Sequence, residues 1–462
     1  MNSEQQYIEL FQQYKDAICV PCPEVMNRPR EEAFKSFCAS GFPTLKTERY
    51  KYTDVQKAFA PNYGLNLNRI EIKAQTQDIF KCDVPNLSTL LYFVVNDSFN
   101  KFEIPSYELP KGITICSLSD AARQYPEIVK KHYARIASGF PTIRQTTDNA
   151  AAPGEHDAIT DLNTMFAQDG LFVHISKNTK LDKTLQVINL LHAKVDMMIN
   201  RRVLIVLEES AEAKILFCDH TMDNQNFLTT QVTEVFAGEN SSLELYELEE
   251  THAKNLRFSN LYINQEAYSR VSVNSLTLQG GTTRNTTYVT LKGHDAEINL
   301  YGGVIADKKQ HVDNHTLIDH QAPNCQSNEL YKYVLDDEAV GAFAGRILVR
   351  KDAQKTQSQE TNANLCSTPT ARMYTQPMLE IYADDVKCNH GATVGQLNEQ
   401  AIFYMRQRGI PLEEARMLLK FAFIGDVLDK IALEPLRDRL HYLTEKRIRG
   451  EFNQCTGCRL CQ

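Results

Sequence analysis

The 462-residue chain has no tryptophan and no Gly-x-x-x-x-Gly-Lys-Ser/Thr, Gly-x-Gly-x-x-Gly or Gly-x-Ser-x-Gly run. Without the first two glycine-rich turns, neither P-loop hydrolysis of ATP nor Rossmann-type dinucleotide binding is expected, since each needs backbone N–H groups brought against phosphate. Any nucleotide energy must then come from another subunit. Without the third there is no nucleophile elbow. No apolar stretch approaches the ~20 residues of a membrane-spanning helix. Residues 1–7 carry neither the basic start nor the apolar stretch of a secretory signal, so a cytoplasmic location is expected. Net charge is −8 and no basic block stands out, which leaves nucleic-acid binding without its electrostatic footprint. Twelve cysteines are present. In a reducing compartment they are expected as thiols, not as a disulfide framework.

The N-terminal part, residues 1–155, reads as a mostly helical domain. Ile8, Leu10, Phe11 and Tyr14 fall near helical spacing within residues 4–18. Pro29 suits the first turn of a second helix through Phe37. Leu90 to Val95 is apolar enough for a buried strand. Residues 119–136 read as one helix with Ser119 as its N-cap, and residues 145–155 as a loop. From about Leu185 the texture changes to β-branched and aromatic residues alternating with polar ones. Similar runs start at Lys214, Ser242, Arg270 and Glu297, in steps of 28, 28 and 27. A second series starts at Arg202, Leu228, Leu256, Arg284 and His311, in steps of 26, 28, 28 and 27. Two strand series sharing one period, with no helix between them, point to a solenoid of stacked coils. A βαβ fold would need a helix in each crossover. The competing sandwich needs strands every ~8–12 residues with hairpin turns. The expected architecture is therefore mainly β: a parallel β-helix core over residues 156–395, flanked by helical regions. The C-terminal helical domain covers residues 396–462. There Leu412, Ala415, Leu419, Ala422, Val427 and Ile431 form a stripe after Pro411, and a further helix follows over residues 434–449. These helices would cap the open end of the solenoid or present a docking face.

No catalytic or cofactor-binding residues emerge from the motifs; the candidates are metal ligands. Cys388 and His390 lie two apart just before a Gly-Ala-Thr turn. On a strand they project to one face. Both are good ligands for zinc or iron–sulfur chemistry, yet such sites need about four ligands. The pair makes half a site, with the rest expected from another chain. Cys455, Cys458 and Cys461 form a ferredoxin-like Cys-x-x-Cys-x-x-Cys tail, one ligand short, with a possible metal or redox role. Cys19 and Cys22 form a Cys-x-x-Cys without the βαβ context of a thioredoxin. His311, His315, His320 and Cys325 cluster in sequence. On a strand, His311 and His315 stand roughly 13 Å apart, so structural polar roles are expected over a shared ion.

Residues 384–395 (Asp-Asp-Val-Lys-Cys-Asn-His-Gly-Ala-Thr-Val-Gly) and 403–410 (Phe-Tyr-Met-Arg-Gln-Arg-Gly-Ile) resemble the SufB/SufD family of iron–sulfur cluster assembly proteins. Residues 162–170, 311–320, 357–365 and 377–381 agree with it, and residues 48–53 match a family motif that usually carries tryptophan where Tyr50 stands. The resemblance implies a right-handed parallel β-helix and a non-enzymatic scaffold. It implies pairing with a SufB-like homologue and docking of a SufC-like ATPase through the C-terminal helices. The SufB-like branch is expected to carry a sulfur-accepting cysteine where Met405 stands, so the resemblance is to the SufD-like branch. It further implies a transient iron–sulfur cluster shared with the partner, with His390 as a ligand and Cys388 as its neighbour. Flavin is linked to some such complexes, but no residue here supports a flavin site. The three-cysteine tail is not part of the family pattern. Two other classes compete: a carbohydrate-active β-helix enzyme, and a structural dimerisation scaffold without metal contact.

Overall fold

The computed structural model describes residues 3–67, 84, 86–102, 104–137 and 157–451. Four short strands come first: β1 (Gly64–Leu65), β2 (Thr89–Val95), β3 (Ser98–Phe99) and β4 (Ile113–Ser117). The odd strands that follow are β5 (Leu171–Ile175), β7 (Met197–Leu207), β9 (Phe227–Ala237), β11 (Leu256–Gln265), β13 (Thr282–Leu291), β15 (His311–His320), β17 (Val340–Val349) and β19 (Arg372–Ile381). The even strands are β6 (Thr184–Leu191), β8 (Glu212–Thr221), β10 (Ser242–Glu250), β12 (Arg270–Gln279), β14 (Glu297–Ala306), β16 (Gln326–Leu335), β18 (Gln357–Cys366) and β20 (Lys387–Gly395). Among β5 to β20, odd strands pair with odd and even with even, all in parallel. Each coil therefore gives one strand to each of two facing sheets, and the solenoid is the architecture observed. β2 and β4 extend the two sheets at the first end.

Register fixes the repeat. Ser242 stands over Arg270, Glu297, Gln326, Gln357 and Lys387 in turn. Leu228 stands over Leu256, Thr282, His311, Val340 and Arg372. The expected offsets fail at the first coils and again at Arg284, which pairs with Phe258 and Asp313 and not with Leu256 and His311. Lys214 pairs with Glu244, not Ser242, and Arg202 with Val232, not Leu228. The first coils are 30 residues long, as the Glu212–Ser242 and Met198–Leu228 partners show, against 26 to 28 for the next ones.

From β5–β6 to β17–β18, one corner of each coil turns through a residue with positive φ: Asn178, Ser210, Asn240, Tyr268, Asp295, Asn324 and Lys355. Asn and Asp tolerate the left-handed region better than most side chains. Each corner donates its backbone N–H to a carbonyl of the next coil, as from Asn240 to Ala267 and from Asn324 to Gln354. The corners are thus stacked like the strands.

Between the sheets lies a core that includes Leu245, Val273, Leu300, Val235, Ile263, Val289 and Phe343. The outer face of the odd sheet is covered by N-terminal elements: α1 (Ser3–Cys19), α2 (Glu24–Asn27), α3 (Arg30–Ser40), a single 3-10 turn (Glu48–Tyr50), α4 (Val55–Phe59), α5 (Leu118–Gln124), α6 (Pro126–His132) and α7 (Ala158–Phe166). Phe11, Phe37, Phe59 and Leu162 pack there on Met198, Leu228 and Phe258. The helix expected over residues 119–136 is two helices. Its N-cap is Ser117, whose Oγ accepts the Asp120 N–H, and not Ser119. Pro126 forces Tyr125 out of the helical region and separates α5 from α6.

Three helices end the described chain: α8 (Glu399–Gln407), α9 (Leu412–Leu428) and α10 (Glu434–Ile448). They do not cap the end of the stack. α9 and α10 lie along the outer face of the even sheet, where Ile424, Leu428, Ile431, Leu436 and Leu440 pack on Tyr246, Leu276, Ile305 and Val334. Ion pairs Lys332–Asp426, Lys420–Asp336 (2.7 Å) and Arg447–Asp307 (2.7 Å) pin them to the strands. The expected stripe holds in part: Ala415, Val427 and Ile431 are buried, but Ala422 is exposed and Leu419 half-buried, while Ile424 and Leu428 join the buried face. No helix among the described residues is long and apolar enough to cross a membrane. The loop expected over residues 145–155 and the three-cysteine tail lie outside the described residues.

Candidate functional site

β19 and β20 are the terminal strands of the two sheets, so among the described residues one end of the solenoid is left open. Cys388 and His390 lie on β20. Their register partners on β18 are Ser358 and Glu360. On β18 the residues alternate between exposed Gln357 and Gln359 and buried Ser358 and Glu360. Cys388 and His390 therefore share the face that points along the interior of the stack. Cys388 is half-buried, against Ile347, Val349, Ala353 and Ala383. Burial pushes its thiol pKa up, partly offset by a hydrogen bond that the sulfur accepts from the Ser358 backbone. His390 is exposed, because no coil follows to cover it. Exposed Tyr374, Ile381, Tyr382, Val394, Phe403 and Tyr404 occur on β19, β20, α8 and the turn after β19.

Two register columns run back from this pair. Behind Cys388 stand Ser358, Ser327, Ile298, Val271 and Leu243. Behind His390 stand Glu360, Glu329, Leu300, Val273 and Leu245. Both columns are apolar deep in the stack and turn polar over the last coils. Ser358 and Ser327 share a hydrogen bond of 2.7 Å, and Ser327 bonds His320 Nε2 at 3.0 Å. Burial pushes the His320 imidazole pKa down to about 3, so it is neutral in this chain of hydrogen bonds.

The other candidates are dispersed. His311 bonds Thr53 Oγ1 at 3.0 Å on the outer face, beside Asp313. His315 lies 3.5 Å from Asp313, and burial with the nearby Arg284 charge lowers its pKa to about 3. His320 is five residues on and so faces inward, and the Cys325 thiol donates to the Gly293 carbonyl at 3.3 Å. Among the described residues no group of three or more His, Cys, Asp or Glu is arranged around one point to hold a metal. The described cysteines, Cys19 and Cys22 among them, are thiols and not disulfides. Cys22 is buried and takes a 3.5 Å contact from the Arg30 guanidinium.

The remaining motif stretches hold the N-terminal elements on the odd sheet. The Tyr50 ring lies under the Arg284 guanidinium at 4.1 Å, and its hydroxyl donates to Asp157 at 2.5 Å. Thr53 donates to Asp313 at 2.6 Å. In α7, Asn163 donates to the carbonyls of Arg201 and Thr230. Asp169 accepts from the Ser117 hydroxyl and the backbone of Phe99 and Ser119.

Reading by residue type missed the inward pair Glu329 and Glu360. Its signal was available: a glutamate at one offset in successive repeats, followed at the next repeat by His390.

Residues 190–423 match the profile described as SUF system FeS cluster assembly, SufBD core domain, and residues 1–187 match the SufBD protein N-terminal region. An iron–sulfur cluster assembly SufBD family protein of Synechocystis is 27% identical over 428 residues, covering 90% of this chain and 87% of that one. The iron–sulfur cluster assembly protein SufD of Escherichia coli is 25% identical over 427 residues, covering 91% and 92%. A chloroplastic protein of Arabidopsis thaliana, ABCI7, is 24% identical over 424 residues, covering 90% and 84%.

Proposed function

The chain belongs to the SufBD family of the SUF iron–sulfur cluster assembly system, and from that premise we propose that it is a SufD-like, non-enzymatic scaffold subunit. It pairs with a SufB-like homologue at the open end of the solenoid and contributes His390, with Cys388 beside it, to a nascent cluster at that interface. The observation that carries this reading is the open end itself: two long unpaired strand edges, exposed apolar side chains, and two soft-to-borderline donors on the outermost coil. Unpaired edges are templates for a second chain. Two donors are about half of a closed set.

A thioether at Met405 cannot carry a persulfide, so in this reading the sulfur-bearing cysteine belongs to the partner. The chain's own residues then do three things. His390 offers a neutral imidazole nitrogen to iron. Cys388 must lose its proton to ligate, and burial holds that proton on, so metal binding there releases a proton. The α9 helix presents its outward side, with Leu418 and Ala422 exposed, to a SufC-like ATPase. Association of two ATPase subunits on ATP binding would pull on α9 here and on its equivalent in the partner, opening the interface to iron and sulfide. The cytoplasmic setting belongs to the same reading.

The test is native anaerobic co-purification with the full chain as bait. Recovery of a P-loop ATPase and a homologue with cysteine at the Met405 position supports the assignment. Recovery of the chain alone overturns it. In the recovered complex, His390→Ala should leave assembly intact and lower the iron and sulfide incorporated. Normal incorporation would remove His390 from the site and leave a structural dimerisation scaffold.

A further inference from the structure

Glu329 and Glu360 are in register on β16 and β18, and both are completely buried. Strand neighbours stand ~4.8 Å apart, so the two carboxyl groups occupy adjacent rungs of one column. Among the described residues no hydrogen-bond partner meets either carboxylate oxygen of Glu360, and the polar groups that act on Glu329 besides its neighbour are the Thr316 hydroxyl and the Tyr331 phenol. Among the described residues no lysine or arginine offsets either one: burial and Glu329 are the two influences on Glu360. Space for the Glu360 carboxylate is left by Gly345 on the facing sheet, where a Cβ would come within 2.2 Å of Oε1. Two buried, uncompensated carboxylates repel one another and lose their hydration. Something positive must sit between them whenever both are ionised.

We propose that Glu329 and Glu360 together hold a hard divalent cation of the ferrous or manganous class inside the last coils, one rung below His390. Two metal–oxygen bonds of ~2.0–2.6 Å span one rung of the sheet. An all-oxygen set selects hard cations over thiophilic ones, and an imidazole one rung outward makes the exit mixed N/O, which suits iron(II). Thr316, whose hydroxyl is buried beside Glu329, is placed to complete the inner set with water. The column then works as a short ladder: the ion is held by carboxylates in the interior, and His390 is the next donor toward the open end. The inner site uses neither Cys388 nor a partner chain. It rests on the family reading only for naming iron as the ion.

The test is binding of manganous ion to the purified full chain without partner, followed by electron paramagnetic resonance of free ion and by calorimetry, then repeated anaerobically with ferrous ion. Wild type should bind one equivalent. Glu329→Gln and Glu360→Gln should each weaken binding about tenfold or more, since each removes one of two charged ligands. His390→Ala should change it less than about threefold. Thermal unfolding of each variant without metal shows that it is folded; replacing a buried, unpartnered carboxyl group by the isosteric amide should not lower its midpoint. No binding to wild type, or binding unaffected by Glu360→Gln, overturns the site. Binding lost equally in His390→Ala would place the ion in the outer half-site and also overturn it. None of these outcomes depends on whether the chain pairs with a SufB-like partner.

Discussion

The Glu360 carboxylate occupies the space that a side chain on Gly345 would need, with Oε1 2.2 Å from where the Cβ would stand. The two residues come from facing sheets, so this is a contact across the interior, not along a strand. Gly345→Ala should destabilise the chain by ~1–3 kcal/mol, as overpacking does, in urea unfolding. In a Glu360→Ala background the same change should cost markedly less. Equal costs in the two backgrounds would mean that Glu360 does not fill this space.

The Arg202–Glu234 ion pair is wholly buried at 2.8 Å. Glu234 also accepts the backbone N–H groups of Ala134, Arg135, Ile136 and Ala137. Glu234→Gln leaves a buried guanidinium without its counter-charge, at ~3–5 kcal/mol. It should also speed amide exchange at residues 134–137 beyond the global change. Unaltered local exchange would assign the clamp to other contacts.

Stability of the metal-free protein should fall on the alkaline side. Burial raises the pKa of both Glu329 and Glu360, with mutual repulsion adding to Glu360. The folded state therefore holds protons that the unfolded state releases near the ordinary value of 4.5. That contribution is complete below this value and is lost as pH rises through the raised folded-state values. Each proton retained only by the folded state gives a slope of ~1.4 kcal/mol per pH unit. Glu360→Gln should flatten the decline in urea midpoints from mildly acidic to mildly alkaline buffer. Parallel curves would refute it.

α9 separates packing from docking. Ile424 is buried against the even sheet and Ala422 faces outward. Ile424→Ala should cost ~2–5 kcal/mol. Ala422→Asp should stay within ~0.5 kcal/mol of wild type yet reduce retention of the ATPase in co-purification. Full retention would move the docking surface off this face.

The repeat was legible in the sequence because each coil returns the chain to the same position after nearly equal lengths. The early register was not, since Lys214 and Ser242 begin similar alternating runs although Lys214 pairs with Glu244. Alternation has a period of two, so a slip of two residues leaves the pattern unchanged. Ser119 resembled an N-cap as well as Ser117 does; only the bond to Asp120 distinguishes them. The stripe through Leu419 and Ala422 came from α9 treated as a free helix, whereas the sheet beneath selects Ile424 and Leu428. Cys388 and His390 were visible as a pair because i and i+2 share a strand face. Glu329 was hidden in a run, Gln-Ser-Asn-Glu-Leu-Tyr-Lys-Tyr, whose polarity suggests solvent. Its inward direction follows only from the register of the neighbouring coils.

β20 has a strand on one side only, whereas every interior coil is held on both. In a stack whose units touch only their neighbours, the outermost unit is secured by a single interface, and its local opening costs least. Cys388 and His390 thus ride on the coil most prone to fray. A second chain arriving at this edge would do more than supply missing donors. It would convert a terminal coil into an internal one, so that completing the metal site and closing the stack become one cooperative event.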